Sequence, residues 1–218
     1  MTRLVIFDLD GTLINSIYDI ADATNNALAE LKCPVHEVKC YYRFVGDGAL
    51  DLIRRALPEK MRDNDTILKT RALFEKYYKE NYLSKTKPYD GIPELLQKLR
   101  MSDIKLAVLS NKPHSFTEKI VKAFWQDTFD IIQGNIPDIP KKPDPVAVHI
   151  IMQKLDIDKN DTLFIGDSDV DILTAKGAEI KSVGCLWGYR TKEELIKTGA
   201  DYIAKAPLDI LNFIKRND

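Results

Sequence analysis

Carboxylates and hydrogen-bond donors recur just after apolar runs in this chain, and together they could perform phosphoryl transfer. Residues 3–8 (RLVIFD) lead into Asp8, and Asp10 follows two positions later, then Gly11 and Thr12. If extended geometry continues through Leu9, the two carboxylates share one side and repel. Ser110, Asn111 and Lys112 follow a second apolar run, Lys141, Lys142, Pro143 and Asp144 lie beyond a third, and Asp167, Asp169 and Asp171 follow a fourth. Bringing Asp167 beside Asp8 and Asp10 collects three acids that protonate or repel unless a cation sits among them. Oxygen ligands with no nearby His or Cys cluster suit Mg²⁺ better than zinc. Ser110, Asn111 and a lysine are donors for phosphate oxygens. A carboxylate can serve as nucleophile and form an aspartyl phosphate. A metal, a lysine, hydroxyl donors and a free carboxylate make up a phosphoryl-transfer site.

Each signal alone has a plainer reading. Asp8 to Thr12 could be a strand ending in a turn, since Asp and Gly favour turns. Ser110 to Lys112 could be a loop or a helix cap. Lys141 and Lys142 would ordinarily be solvated charges, and Lys142 is preferred for its place directly before proline. Asp169 reads as a solvated residue at a helix start. Gly11 fits a sharp turn after Asp10, because glycine tolerates positive φ. Asp167 and Asp171 are four apart at the start of an expected helix, which turns both to one face.

The elements that must hold these residues are short apolar runs separated by helical patterns. Strands are expected at 3–8, 104–109, 129–133, 162–166, 181–186 and, more weakly, 201–204. Helical patterns cover 93–101, 115–125, 144–155 and 170–178. That alternation predicts an α/β fold, a doubly wound, mostly parallel, Rossmann-like sheet with helices on both faces. Ligands of such sheets bind beyond the carboxyl ends of the strands. From about 15 to 86 the rhythm breaks into helical spacing with no convincing strand, and Pro88, Gly91 and Pro93 mark the return. We therefore expect a core domain of 1–14 and 87–218, with a small helical cap domain of 15–86 inserted after the first strand.

At 218 residues, 44% hydrophobic and 30% charged, the chain can bury a two-sided core. A net charge of −1 gives no reason to expect nucleic acid as partner. Three cysteines without a CxxC spacing, Cys33, Cys40 and Cys185, suggest reduced thiols in a cytoplasmic protein. With the first strand expected within three residues of Met1 we expect no signal peptide, and no apolar run reaches membrane-spanning length.

Asp8-Leu9-Asp10-Gly11-Thr12, Ser110-Asn111-Lys112, Lys142-Pro143 and Gly166-Asp167-Ser168-Asp169-Val170-Asp171 resemble, in order and spacing, the four motifs of the haloacid dehalogenase superfamily. The helical insertion resembles the small cap of its first subclass. The tail from Leu186 to Pro207, and residues 45–57 of the insertion, look like phosphoglycolate phosphatases and their near relatives. The resemblance implies that Asp8 attacks phosphorus and that Asp10 protonates the leaving group and then activates water. It implies Mg²⁺ held by Asp8, the Asp10 backbone carbonyl and Asp167. Ser110 and the Asn111 amide would grip the phosphoryl oxygens, Lys142 would neutralise charge, and Asp171 would orient Lys142 or metal-bound water. The cap would close over a small phosphorylated metabolite, with 2-phosphoglycolate the first candidate. Thr12, Arg43, Gly46 and Gly48 are candidate substrate contacts, although Arg43 reads equally as a surface residue and the two glycines as an ordinary loop. Asn15 stands where relatives often carry an aspartate, which bears on substrate contacts more than on the chemistry.

Three other activities compete. A phosphosugar mutase would use the same aspartyl phosphate, and inorganic pyrophosphatase activity is a further close option. A phospho-acceptor signalling module combines an acidic pocket and a lysine on a similar sheet. Such modules are shorter, lack a helical insertion after the first strand, and place no second aspartate two positions after the acceptor.

Overall fold

Leu4, Val5, Ile6 and Phe7 are all fully buried. A strand with apolar residues on both sides must lie inside a sheet covered on both faces. The computed structural model, which describes residues 1–214, bears this out. In chain order the elements are β1 (Leu4–Phe7), β2 (Ile14–Asn15), α1 (Ile17–Glu30), α2 (Val38–Phe44), α3 (Ala49–Ala56), α4 (Asn64–Asn81), β3 (Lys87–Pro88), α5 (Ile92–Met101), β4 (Lys105–Pro113), α6 (His114–Trp125), β5 (Ile131–Asn135), α7 (Val146–Leu155), β6 (Thr162–Gly166), α8 (Asp169–Gly177), β7 (Lys181–Cys185), α9 (Lys192–Thr198) and β8 (Tyr202–Ala204). Short 3₁₀ turns lie at Glu59–Met61, Lys159–Asp161 and Pro207–Asn212.

The chain divides into two compact units, residues 1–14 with the chain from Pro88 onward, and residues 15–87. The first unit is built on a six-stranded sheet in the order β5-β4-β1-β6-β7-β8. Each of its ladders is parallel. From β1 the chain moves outward through β4 to β5, then returns to the other side of β1 and moves outward through β6, β7 and β8. The winding direction therefore reverses at β1, and the crevice at its carboxyl end is where an open sheet binds ligands. Leu4 and Ile6 join Ala107, Leu109 and Phe164 in a core under Val148 and Ile151 of α7 and Ala175 of α8. Val5 and Phe7 point the opposite way by strand alternation and are equally buried.

Two boundaries differ from the sequence pattern. The apolar run at 104–109 predicts a strand that stops before Ser110, yet β4 continues to Pro113, with an irregularity in its pairing to β5 after Leu109. Ser110, Asn111 and Lys112 are buried polar residues, so hydropathy alone hides their strand character. Asp167 does not belong to the following helix. Ser168 is the N-cap of α8, with its hydroxyl accepting from the Asp171 N–H, so Asp167 leaves the end of β6 while Asp171 sits in the first turn.

The second unit is helical. Apolar spacing in α1 buries Ile17, Ile20, Ala21, Ala27 and Leu28, and α4 contributes Ile67, Phe74 and Tyr78. Asp63 caps α4 by accepting from the Thr66 N–H at 2.9 Å. Asn25 accepts from the Tyr41 hydroxyl at 2.7 Å and binds the His36 backbone through both ends of its amide. Buried Asp19 in α1 receives the N–H groups of Lys85 and Thr86 and the Thr86 hydroxyl, at 2.7–3.0 Å. That carboxylate fixes the stretch entering β3, which pairs with β2 in a two-stranded ribbon. Asn15 opens this unit, and its side chain accepts from the Ile17 N–H.

Candidate active site

The carboxyl ends of β1, β4 and β6 meet at the switch point because these three strands are neighbours in register. Phe7 lies opposite Val108 on one side and Ile165 on the other. Asp8 extends the ladder by donating its N–H to the Ile165 carbonyl at 2.9 Å. The chain then folds tightly, with the N–H groups of Leu13 and Ile14 returning to the Leu9 carbonyl. Gly11 has φ +95°, and a Cβ there would lie 2.4 Å from an Asp167 carboxylate oxygen. Both the turn and the approach of Asp167 require glycine.

Lys142 reaches this end from the loop after β5. Its ammonium lies 2.6 Å from Asp8 Oδ1 and 2.6 Å from Asp171 Oδ1, with the lysine side chain 2% exposed. Asn111 donates from Nδ2 to the Lys142 carbonyl at 3.0 Å, tying that loop to β4. Asp171 is secured on its other oxygen by the Ser168 N–H and hydroxyl at 3.0 and 2.7 Å. Asp167 accepts from the Thr12 hydroxyl at 2.9 Å and from the Tyr189 N–H at 2.8 Å. Gly188 permits that second bond, because a Cβ there would come within 2.2 Å of the Asp167 Cβ. Asp10 is paired with Lys112 through both carboxylate oxygens.

Buried carboxylate oxygens from Asp8, Asp167 and Asp171 lie within 4.8 Å of one another, and Lys142 is the ammonium among them. Burial drives the Asp8 carboxyl well above its ordinary value, against the pull of Lys142 and with the repulsion of Asp171 and Asp167. Burial, then the charge of Asp171, pushes Asp167 up to about 7 despite its bonds from Tyr189 and Thr12. Burial alone would lower the Lys142 value, but Asp171 and Asp8 outweigh it and raise it. Acids so arranged favour an added cation, which relieves their repulsion. An oxygen-only donor set fits a hard divalent ion. Asp171 is already committed on both oxygens, to Lys142 and to Ser168. No described residue donates a hydrogen bond to Asp8 Oδ2.

The sequence profile of the haloacid dehalogenase-like hydrolases matches residues 5–185. The chain belongs to that family. It is 32% identical to the phosphoglycolate phosphatase of Vibrio parahaemolyticus over 220 residues, spanning 97% of this chain and 96% of that one. It is 34% identical to the phosphoglycolate phosphatase of Aquifex aeolicus over 213 residues, again 97% and 96% of the two chains. The fold superposes on a solved haloacid dehalogenase-like family hydrolase from Streptococcus pneumoniae with a TM-score of 0.88 and 26% identity, covering 98% of this chain and 99% of the other.

Within this haloacid dehalogenase-like hydrolase, Asp8, Asp167, Asp171 and Lys142 come together, and Asn111 and Ser110 stand on the adjoining strand end. Thr12, a candidate substrate contact, is fully buried and donates its hydroxyl to Asp167, which helps hold that carboxylate in place. Arg43 lies in the last turn of α2, and Gly46 and Gly48 lie between α2 and α3, in the helical unit. Gly188 and Tyr189 were not among the candidate site residues, because Tyr189 acts through its backbone N–H, a group every residue but proline carries. Ser168 was legible in principle, since a serine three residues before an acid forms a capping box. Among the described residues no helix is long and apolar enough to cross a membrane.

Proposed function

We propose that this hydrolase is a Mg²⁺-dependent phosphatase acting on a small phosphomonoester, with 2-phosphoglycolate as first substrate, through an aspartyl phosphate on Asp8. The observation that carries the reading is the buried Lys142 ammonium, 2.6 Å from Asp8 and anchored by Asp171, with Asp167 beside them. The names of the relatives from Vibrio parahaemolyticus and Aquifex aeolicus support the substrate. Asp8, Asp167 and the backbone carbonyl of Asp10 would hold Mg²⁺, which supplies positive charge to the phosphoryl oxygens.

Asp8 attacks phosphorus as the bond from phosphorus to the leaving oxygen breaks. The Asp10 carboxyl gives its proton to that oxygen, which departs as an alcohol. Water then gives a proton to the Asp10 carboxylate while its oxygen attacks the aspartyl phosphate. The bond from Asp8 to phosphorus breaks, and inorganic phosphate and the Asp8 carboxylate result. The Ser110 hydroxyl and the Asn111 N–H bind phosphoryl oxygens, and Lys142 balances charge on Asp8 and the phosphoryl group. Asp171 keeps Lys142 in place. Arg43, Gly46 and Gly48 are the candidate substrate contacts in the helical unit. Three free thiols, Cys33, Cys40 and Cys185, fit a reducing compartment, and the reading places the enzyme in the cytoplasm.

The test is phosphate release from a panel of phosphomonoesters with and without Mg²⁺. The expected result is Mg²⁺-dependent release, greatest with 2-phosphoglycolate and lost in Asp8→Asn. No release from any member, or equal release by Asp8→Asn, would reject the reading.

A further inference from the structure

Lys112 places its ammonium on the Asp10 carboxylate, 3.0 Å from Oδ1 and 2.8 Å from Oδ2. The two side chains are only 6% and 12% exposed. Burying an ammonium is unfavourable unless an acid compensates it. The acid that does so here is Asp10, while the Asp8 and Asp171 pair is already served by Lys142. The two lysines thus serve different acids, and Asp167 accepts instead from Thr12 and Tyr189.

The two partners of this pair are held very differently. Lys112 rises from a fixed base: its N–H donates to the Ser110 hydroxyl and its carbonyl accepts from the Thr117 hydroxyl, each at 3.2 Å. Asp10 sits past the end of β1, where its backbone bridges to Ile14 across the turn that starts at Gly11. The lysine therefore approaches the carboxylate from a strand whose end is tied to Ser110 and Thr117.

Resting on the proposed role of Asp10 as acid and base, we infer that Lys112 is a positioning residue that aims the Asp10 carboxyl for proton transfer and does not grip the phosphoryl group. When one Asp10 oxygen carries a proton, the other still accepts from Lys112, so the contact can persist through both half-reactions.

The two leaving-group classes separate this role from others. An alkoxide needs a proton to depart, whereas p-nitrophenolate leaves without one. The ratio kcat/KM reports steps only up to leaving-group departure, so the later hydrolysis of the aspartyl phosphate does not enter it. The experiment measures kcat/KM with Mg²⁺ for an alkyl phosphate and for p-nitrophenyl phosphate, in the parent, Lys112→Met and Lys112→Arg. In Lys112→Met the alkyl value is expected to fall by about tenfold or more, the lower part of what a positioned acid contributes, while the aryl value falls only a few-fold. Lys112→Arg recovers part of the alkyl loss. A pre-steady-state burst of p-nitrophenolate appears in Lys112→Met, because water activation by Asp10 has slowed. Equal losses on both substrates, in a variant with the parental circular dichroism, overturn the proposal in favour of a role in phosphoryl binding or in the fold. If Lys112→Met does not fold, Lys112→Arg decides by the same comparison. A parent that hydrolyses neither substrate rejects the proposed function itself, and this inference with it.

Discussion

Lys142 and Asp8 are 134 positions apart in sequence, yet their charged groups meet at 2.6 Å in a buried pocket of the parallel sheet. The contact is made from a loop, and the same ammonium also reaches Asp171. Replacing Lys142 by methionine keeps the side-chain length and removes the charge, which leaves two buried acids uncompensated. Breaking a buried pair in this way costs about 3–5 kcal/mol. Chemical denaturation should show that loss. Turnover at saturating Mg²⁺ should fall by about a hundredfold or more, the scale set by removing one electrostatic stabiliser from an active site.

Asp8→Asn should separate function from stability. An amide oxygen can still accept from Lys142, while one of the mutually repelling charges is removed. The variant should melt no lower than the parent in chelator, although its turnover disappears. Mg²⁺ at a hundred times its Kd should stabilise the parent by about 2.7 kcal/mol through linkage. That thermal shift should shrink strongly in Asp8→Asn if the proposed ligand set is right, since the variant lacks one of its carboxylates.

Asp130 gives a pH-dependent prediction away from the site. It accepts from the Leu106 N–H at 2.9 Å and from Arg100 and Lys105 at 2.9 and 3.1 Å. Burial would raise this carboxyl, but the Leu106 N–H and the two cations more than offset it and hold the group below its ordinary 3.8. A carboxyl lowered on folding stabilises the protein above its unfolded value, and the contribution fades as pH falls through the folded value. Asp130→Asn should therefore cost about 1–2 kcal/mol at pH 7. Urea midpoints should show that gap unchanged down to the ordinary carboxylate range, then narrowing in more acidic solution.

Asp19 should govern the local stability of the stretch entering β3. Asp19→Ala strips the Lys85 and Thr86 N–H groups and the Thr86 hydroxyl of their acceptor. Leaving such donors unsatisfied costs about 1–3 kcal/mol. Amide exchange at Lys85 and Thr86 should accelerate by about tenfold or more, read by hydrogen–deuterium exchange, while the amides of β1 keep their protection.

The chain's own letters determined the kinds of element and their order. Short runs such as residues 3–8 and 162–166 are apolar at successive positions, which only a strand buried on both faces accommodates. Alternation with helical spacing then leaves a parallel sheet as the economical arrangement. Gly11 after two acids also announced its turn, because the need for positive φ is local. Distance and direction were decided only by the tertiary structure. Lys141 and Lys142 differ in sequence by little more than the proline that follows one of them, whereas in the fold Lys141 is exposed and Lys142 is buried against Asp8. Ser110 to Lys112 looked like the residues after a strand and proved to be its last part, because their polar groups are satisfied inside the protein. Thr12, Gly188 and Tyr189 gather on Asp167 through a hydroxyl, a missing Cβ and a backbone N–H. None of these advertises a long-range partner. Which groups meet depends on strand register and loop path, and those are set by packing between segments far apart in the chain.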